Sequence, residues 1–92
     1  MQFFVYVIRN PEGRLYIGFT EDLENRIDKH KNGKSGWTRS RGTWVLVHYE
    51  TFTNRTDALK RELYLKQGRA NQELREGLLK AQAVELVLPR KD

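Results

Sequence analysis

The chain has 92 residues and no cysteine, and its 17 lysine and arginine residues against 12 acidic ones give a net charge of +5. This length fits one domain with its own hydrophobic core, and the lack of cysteine excludes disulfides and thiolate chemistry. The apolar run before Arg9 is too short for a signal peptide or a membrane span, so we expect a soluble, cytoplasmic protein. The positive charge favours an anionic partner such as nucleic acid, without separating DNA from RNA.

Residues 4–20 predict a β-hairpin around the sequence NPEG at positions 10–13. Pro and Glu do not suit a two-residue turn of type I′, which needs positive φ at both central residues, so a three-residue loop closed by glycine is expected. In that register Tyr6 pairs with Gly18, and Tyr6 and Tyr16 lie on the same face of the sheet. The simpler interpretation is that both tyrosines only pack in the core.

The rest of the chain predicts three helices and a third strand. The boundaries follow from capping residues and glycines: a helix after an N-cap at Thr20 to about Lys31, ended by Gly33; a loop at 32–42; a strand at 43–52; a helix at about 56–67, capped by Asn54 or Thr56 and ended by Gly68; a helix from Asn71 to about Ala83; and a short strand or extended tail at 84–88. The order β-β-α-β-α-α indicates an α+β fold, with a small three-stranded antiparallel sheet flanked by helices. We expect one domain over residues 1–88 and a tail at 89–92.

The first predicted helix places polar side chains beside its apolar stripe. His30 lies between Leu23 and Ile27 on the helical surface, and Arg26 lies on the same side. A histidine in such a stripe is often only a hydrogen-bonded core residue. Arginine resists full burial, so the presence of Arg26 beside His30 favours a second interpretation, in which this side of the helix forms part of the wall of a cavity.

The second predicted helix places Glu62 inside its apolar arc, which is formed by Ala58, Leu59, Leu63 and Leu65. A buried carboxylate without a partner costs several kcal/mol. Glu62 therefore needs a partner, which can be Arg26, a metal ion, or another cation such as Lys66 in an ordinary salt bridge. If the three inward faces converge, the site has a proton acceptor, a cationic stabiliser and a metal ligand, which suits phosphodiester hydrolysis.

The same residues resemble the motifs of the GIY-YIG nuclease superfamily over about residues 3–80. The matching positions are Phe4-Val5-Tyr6, Tyr16-Ile17-Gly18, Arg26, His30 and Glu62. The chain is most similar to small single-domain bacterial members, which resemble the nuclease domain of structure-specific, branch-cutting endonucleases. Phe4 replaces the glycine of the first motif, and Phe19 stands where some relatives have a lysine that activates a tyrosine.

The resemblance implies a nuclease with roles for each matched residue. Glu62 would hold one Mg²⁺ or Mn²⁺ ion, Arg26 would neutralise the scissile phosphate, and Tyr6 or Tyr16, assisted by His30, would orient or deprotonate water. Gly18 would clear space for substrate. Candidate contacts to DNA, with RNA also open, are Lys29, Lys31, Lys34, Trp37, Thr38, Arg39, Arg41 and Lys66.

Two other functions fit parts of the same pattern. The first is a nucleic-acid-binding module that keeps the nuclease fold but cleaves little or not at all, because the chain contains no separate binding domain. The second is a small basic protein associated with RNA or the ribosome, which requires only the positive charge and leaves Glu62 without a role. A protein partner is possible, and a role in DNA repair is expected for the endonuclease.

Overall fold

The computed structural model describes residues 1–32 and 42–88 as a three-stranded antiparallel sheet with three helices. The elements are β1 (Phe3–Arg9), β2 (Leu15–Thr20), α1 (Leu23–Lys31), β3 (Val45–Phe52), α2 (Arg55–Leu65) and α3 (Gly68–Lys80). The strand order is β2-β1-β3, so the first strand is central and β2 forms one edge of the described sheet. The predicted α+β class and element order are confirmed. None of the described helices is long and apolar enough to cross a membrane.

The hairpin has the predicted three-residue loop and register. The Asn10 N–H donates to the Arg14 carbonyl at 3.0 Å, and the Gly13 N–H donates to the Asn10 carbonyl at 3.0 Å. Gly13 has φ of 85°, the left-handed conformation that glycine adopts without strain. Tyr6 consequently pairs with Gly18. The loop type thus fixes which side chains of β2 share a face with the central strand.

The two faces of the sheet carry separate apolar clusters. One face packs under α1 and consists of Tyr6, Ile8, Leu23, Ile27, Trp44 and Leu46. The other face packs under α2 and consists of Phe3, Val5, Val7, Ile17, Val47, Ala58 and Leu65, with side chains of α3 added at its margin. The alternation of β1 therefore contributes to both clusters, which is why nearly the whole strand is buried. The helices consequently cover the sheet from opposite sides.

The helix starts differ from the sequence prediction at α1. Asp22, not Thr20, is the N-cap, and its carboxylate accepts the Asn25 N–H at 3.2 Å. Thr20 lies two residues earlier, and its hydroxyl oxygen accepts the Asp22 N–H. For α2 the predicted cap at Asn54 is confirmed, because its side chain accepts the N–H groups of the next turn. Gly33, the predicted end of α1, lies outside the described residues.

The boundary between α2 and α3 was predicted wrongly. Gly68 starts α3 instead of ending α2, and it does not have positive φ, so it has no left-handed cap geometry. Asn71 lies inside α3, and its side-chain amide donates to the Leu65 carbonyl at 3.1 Å across the junction. Leu63, predicted to be apolar and inward, is 60% exposed, because α2 buries only Ala58 and Leu65.

Residues 83–88 form a segment that is neither helix nor strand, so the short final strand among the two sequence alternatives is not formed there. One backbone bond, from the Leu86 N–H to the Leu46 carbonyl at 2.8 Å, joins this segment to β3. The Lys31 ammonium also contacts the Glu85 carboxylate at 2.7 Å. The segment therefore lies against α1 and β3, while residues 89–92 lie outside the described range.

Replacing Asn10 by alanine should lower the free energy of unfolding by about 1–2 kcal/mol. The Asn10 side-chain oxygen accepts the N–H groups of Glu12 at 3.1 Å and Arg14 at 2.8 Å, and Asn10 is buried. Urea unfolding followed by circular dichroism measures the change. Glu12→Ala, in the exposed part of the same loop, is the control and should change stability by less than about 0.5 kcal/mol. Equal losses in the two variants would contradict the role assigned to the Asn10 amide.

Candidate active site at the edge of strand β2

The candidate site lies where α1 and α2, which cover opposite faces of the sheet, approach the edge formed by β2. α1 packs on the face of Tyr6 through Leu23 and Ile27. α2 packs on the other face, and two consecutive residues of this helix diverge to its two flanks. Arg61 points to β3, where it contacts Glu50, and Glu62 lies about 100° further around the helix, on the β2 flank. The topology therefore brings side chains of both helices towards one strand.

Tyr6 is fully buried, yet its hydroxyl is hydrogen-bonded on the side of α1. The hydroxyl oxygen lies 2.9 Å from His30 Nε2, and His30 is 2% exposed. The guanidinium of Arg26 lies close to the same hydroxyl. A guanidinium has only donors, so the Tyr6 oxygen accepts from Arg26 and its proton is left to donate to His30 Nε2. An imidazole that accepts this bond at Nε2 is neutral, and Nδ1 is then its protonated nitrogen.

The protonation states agree with this geometry. Burial raises the pKa of the Tyr6 phenol well above its usual value, the nearby Tyr16 phenol raises it further, and the charge of Arg26 opposes both effects. Burial, together with the positive charge of Arg26, lowers the pKa of His30 to about 4. At neutral pH the phenol of Tyr6 and the imidazole of His30 are therefore both uncharged.

Tyr16 completes an aromatic group around the imidazole. Its ring centroid lies 6.3 Å from that of Tyr6 and 5.2 Å from that of His30, with tilted ring planes. Tyr16 is half-buried, whereas Tyr6 is covered completely. Of the two phenols that sequence analysis singled out, Tyr16 is consequently the one with access to solvent.

Gly18 makes room for the Tyr6 phenol itself. A Cβ atom at position 18 would clash with the Tyr6 hydroxyl and with two carbons of its ring. Sequence analysis assigned this open space to the substrate, but in the structure the ring of Tyr6 fills it. Gly18 is thus a requirement for the buried position of Tyr6, since any larger residue at position 18 would displace the phenol from His30.

Glu62 lies within electrostatic reach of this group, because its charge contributes to raising the pKa of Tyr6. Its side chain is 17% exposed, and its carboxylate accepts a bond from Lys66 at 3.3 Å. The Lys66 salt bridge is one of the partners that the sequence left open. Among residues 1–32 and 42–88, no cluster of three or more His, Asp or Glu side chains could hold a metal ion by itself.

A second polar cluster fixes the orientation of α2 from the β3 side. Arg61 donates to both carboxylate oxygens of Glu50, at 2.8 and 3.2 Å, and His48 Nε2 lies 2.9 Å from the same carboxylate. Burial alone would raise the pKa of Glu50, but the bonds from Arg61 and His48 hold it below its usual value. Because Arg61 precedes Glu62, this bidentate contact restricts rotation of the helix that carries Glu62.

The predicted substrate contacts divide into described and undescribed positions. Lys29 is exposed on α1, Lys31 is paired with Glu85, and Lys66 is paired with Glu62. The remaining predicted contacts lie outside the described residues; they are Lys34, Trp37, Thr38, Arg39 and Arg41. Trp44, just beyond that segment, is buried.

Three residues that the structure places beside these groups were not among the predicted site residues. Glu50 and Arg61 belong to the polar cluster under α2, and the guanidinium of Arg55 lies 5.6 Å from the ring centroid of Phe19. The signal for Arg55 was present in its spacing, because it precedes Glu62 by two turns of α2. The pairing of Glu50 with Arg61 crosses between two elements and had no local signal.

Comparisons with known proteins agree with this fold. Residues 2–75 match the model of the GIY-YIG catalytic domain. A UPF0213 protein from Staphylococcus epidermidis is 40% identical over 73 residues, covering 78% of this chain and 89% of the relative. One from Clostridium perfringens is 42% identical over 72 residues, covering 77% of each. The solution NMR structure of a UPF0213 protein from Bacillus halodurans is 34% identical and superposes with a TM-score of 0.54, covering 85% of both chains.

The fold and the group of phenol, imidazole, guanidinium and carboxylate define a domain of the nuclease class. The chain belongs to the GIY-YIG family, as its sequence motifs suggested. This membership implies binding of a nucleic acid substrate.

Gly18→Ala should lower the free energy of unfolding by about 1–3 kcal/mol, because the added methyl group forces the Tyr6 ring to move. Gly77→Ala is the matched control, since Gly77 lies inside α3 with open space around it. This control should raise stability by about 0.5–1 kcal/mol through helix propensity. Chemical unfolding of the two variants measures both values. A Gly18→Ala protein as stable as the wild type would contradict the steric role of this glycine.

The contribution of His30 to stability should decrease as pH falls from about 6.5 towards 4. The unfolded imidazole takes up a proton near pH 6.5, whereas the folded one resists until about pH 4, so the unfolded state binds more protons in this window. The expected loss is on the order of 3 kcal/mol, at about 1.4 kcal/mol per pKa unit. Urea unfolding across this pH range should show that the free energy of unfolding falls more steeply for the wild type than for His30→Gln.

The other histidine of the chain supplies the control for this pH series. His48→Gln retains His30 and should therefore keep the additional loss of stability at low pH. If His30→Gln and the wild type lose stability equally between pH 6.5 and 4, the neutral buried state of His30 is wrong.

Proposed function

We propose that this protein is a divalent-metal-dependent endonuclease that hydrolyses phosphodiester bonds in DNA, with branched or damaged structures as its substrates. The observation that carries the proposal is the position of the Tyr6 hydroxyl, between His30 and Arg26 and within electrostatic reach of Glu62. These groups come from three separate elements, and core packing accounts for the contact of Tyr6 with His30 but does not require the charged Arg26 and Glu62 to lie near it. Membership of a nuclease family supports the same conclusion.

Arg26 is the residue best suited to the scissile phosphate. It is half-buried, and its guanidinium is already directed towards the Tyr6 hydroxyl by a charge interaction and hydrogen bonding. Guanidinium groups bind phosphate oxygens in a bidentate manner and remain charged at all relevant pH values. Arg26 would therefore neutralise charge on the phosphate as the attacking oxygen adds to it.

The two phenols would act differently in this reaction. Tyr6 keeps its proton, which it donates to His30, and it has no exposed surface in the free protein. Tyr16 is half-buried and packs on both rings, so it is the better candidate to orient the attacking water. Tyr6 and His30 would then hold Tyr16 and Arg26 in position.

Glu62 would hold the divalent cation, Mg²⁺ or Mn²⁺. Magnesium in nuclease sites commonly uses one or two carboxylates and completes its coordination with water and substrate phosphate, so a single accessible carboxylate fits. Glu62 meets this requirement, because its side chain is partly exposed and the ammonium of Lys66, which contacts it at 3.3 Å, is itself half-exposed. When bound, the cation supplies charge stabilisation at the leaving oxygen. The family in general uses divalent metals.

Cleavage should fall at least about a hundredfold in Glu62→Gln, since the variant keeps the shape of the side chain but loses its charge. The assay uses end-labelled branched, linear and single-stranded DNA, and RNA of the same sequence, with Mg²⁺, Mn²⁺ or a chelator. Glu76→Gln is the matched control, because Glu76 is an exposed carboxylate on α3 whose described bond is to Gln72. The control should cleave at the wild-type rate.

The outcomes separate the enzyme from the nucleic-acid-binding module. Loss of cleavage in Glu62→Gln with unchanged DNA binding supports the enzyme. Equal residual cleavage by wild type and Glu62→Gln would point to a contaminating nuclease and would reject the assignment of Glu62. Salt-dependent binding without cleavage in either metal would leave the binding module as the function.

A further inference from the structure

One side of α2 carries a stripe of residues that runs along the β2 flank. Arg55, Leu59, Glu62 and Lys66 follow the spacing i, i+4, i+7 and i+11, which places them within an arc of about 60° on the helix. We call these four residues the β2-side stripe. Within it, a cation precedes Glu62 by two turns and another follows it by one. The proposed function uses Glu62 and Lys66 but gives Arg55 no role.

Arg55 is placed by the sheet and remains accessible. Its guanidinium carbon lies 5.6 Å from the centroid of the Phe19 ring, in the range of a cation–π contact. Phe19 is the residue after Gly18, so this contact sets Arg55 at the same edge of the sheet as the tyrosine group. Arg55 itself is exposed, and among the described carboxylates none forms a salt bridge with it.

The aromatic contact directs the guanidinium while leaving its charge uncompensated. A ring neutralises no charge, and it binds one face of the guanidinium, whereas the N–H donors point outward in the plane of the group. Five donors with a fixed direction at the margin of the candidate site are suited to an oxyanion. The opposite side of α2 differs, because Arg61 there is already paired with Glu50.

We propose that Arg55 is a binding site for a backbone phosphate of the nucleic acid strand that the site cleaves, several nucleotides away from the scissile bond. The proposal rests on the proposed function, which places the scissile phosphate between Arg26 and Glu62. Arg55 precedes Glu62 by seven residues, or about 10 Å along the helix axis. Measured along the axis of B-form DNA, this distance corresponds to about three nucleotides of one strand, at roughly 3.4 Å of rise each.

In this proposal the two turns of α2 that precede Glu62 also contact the substrate. With Lys66 on one side of Glu62 and Arg55 on the other, the β2-side stripe would follow the sugar-phosphate backbone in both directions from the reaction centre. Such contacts fix the register of a strand without reading its sequence. Arg55 would consequently help to determine where cleavage occurs and how tightly substrate binds, and it would take no part in the chemical step.

Binding of a fluorescein-labelled DNA duplex with a single-stranded flap tests the site, in chelator so that no cleavage takes place. Arg55→Gln should weaken binding about two- to fivefold, the range of an exposed charge pair. The slope of log K against log salt should fall in magnitude by about 0.9, as for the loss of one phosphate contact on duplex DNA. Fluorescence anisotropy at several salt concentrations measures both quantities.

Lys60→Gln is the matched control for this measurement. Lys60 is exposed on the same helix, about 140° around from Arg55, and its loss changes the net charge equally. Lys60→Gln should alter the binding affinity and the salt slope by much less than Arg55→Gln does. Arg55→Lys keeps the charge and should retain most of the affinity. Thermal unfolding of all three variants shows whether any loss of binding comes from loss of fold.

A phosphate scan locates the contact. Single phosphates of the flap-bearing strand are replaced, one position at a time, by the uncharged methylphosphonate. One position, about three nucleotides from the cleavage point that the wild type shows with Mg²⁺, should weaken wild-type binding but have no further effect on Arg55→Gln. Turnover at saturating DNA should be unchanged in Arg55→Gln, with the loss confined to KM.

The outcomes distinguish this proposal from the proposed function. If the wild type cleaves DNA but Arg55→Gln binds like Lys60→Gln, or if no phosphate position is coupled to Arg55, the subsite is wrong and the nuclease stands. If Arg55 affects binding as described but no DNA is cleaved, the phosphate site stands and the proposed nuclease activity is wrong. The position of the contacted phosphate along the strand is then given by the phosphate scan alone. A wild-type protein that does not bind the DNA overturns both.

Discussion

The structure depends on one buried phenol that has to keep its hydrogen bonds. Tyr6 occupies the central strand with no exposed surface, and its hydroxyl would destabilise the fold if it had no partner there. His30 supplies the acceptor at 2.9 Å, and Gly18 supplies the space for the ring. One side chain thereby connects β1, β2 and α1. The same contacts position Arg26 and Tyr16, so stability and the geometry of the candidate site rest on a single requirement.

The opposite flank of α2 is fixed by charge instead of by aromatic packing. α2 buries only Ala58 and Leu65, so its fully buried apolar surface is narrow. The bidentate bond between Arg61 and Glu50 adds a directional contact on the β3 side of the helix. Because Glu62 is the next residue, the ion pair that holds Arg61 towards β3 also holds Glu62 towards β2. The orientation of the proposed metal ligand thus follows from an ion pair outside the site.

The sequence predicted correctly those features that depend only on the backbone geometry of neighbouring residues. The three-residue loop fixed the hairpin register and placed Tyr6 and Tyr16 on one face, and helical periodicity placed His30 towards the core. The signals failed where tertiary contacts decide. α2 ends at Leu65, close to the predicted end, but Gly68 starts α3 and does not have the positive φ of the left-handed cap that its residue type suggested. The sequence predicted open space beside Gly18. That space is filled by the ring of Tyr6, whose orientation depends on contacts between strands and was not predictable from local signals.

The location of the site at a sheet edge has a physical consequence of its own. β2 is an edge of the described sheet, and an exposed edge with free N–H and C=O groups invites pairing with other chains. Proteins reduce this risk by placing charged side chains around such an edge. Here α1 brings Arg26 from one face, and α2 brings Arg55 and Lys66 from the other. In the proposed function and subsite, the charges that discourage strand addition would also attract a phosphate backbone, so one arrangement would keep the edge unpaired and available to nucleic acid.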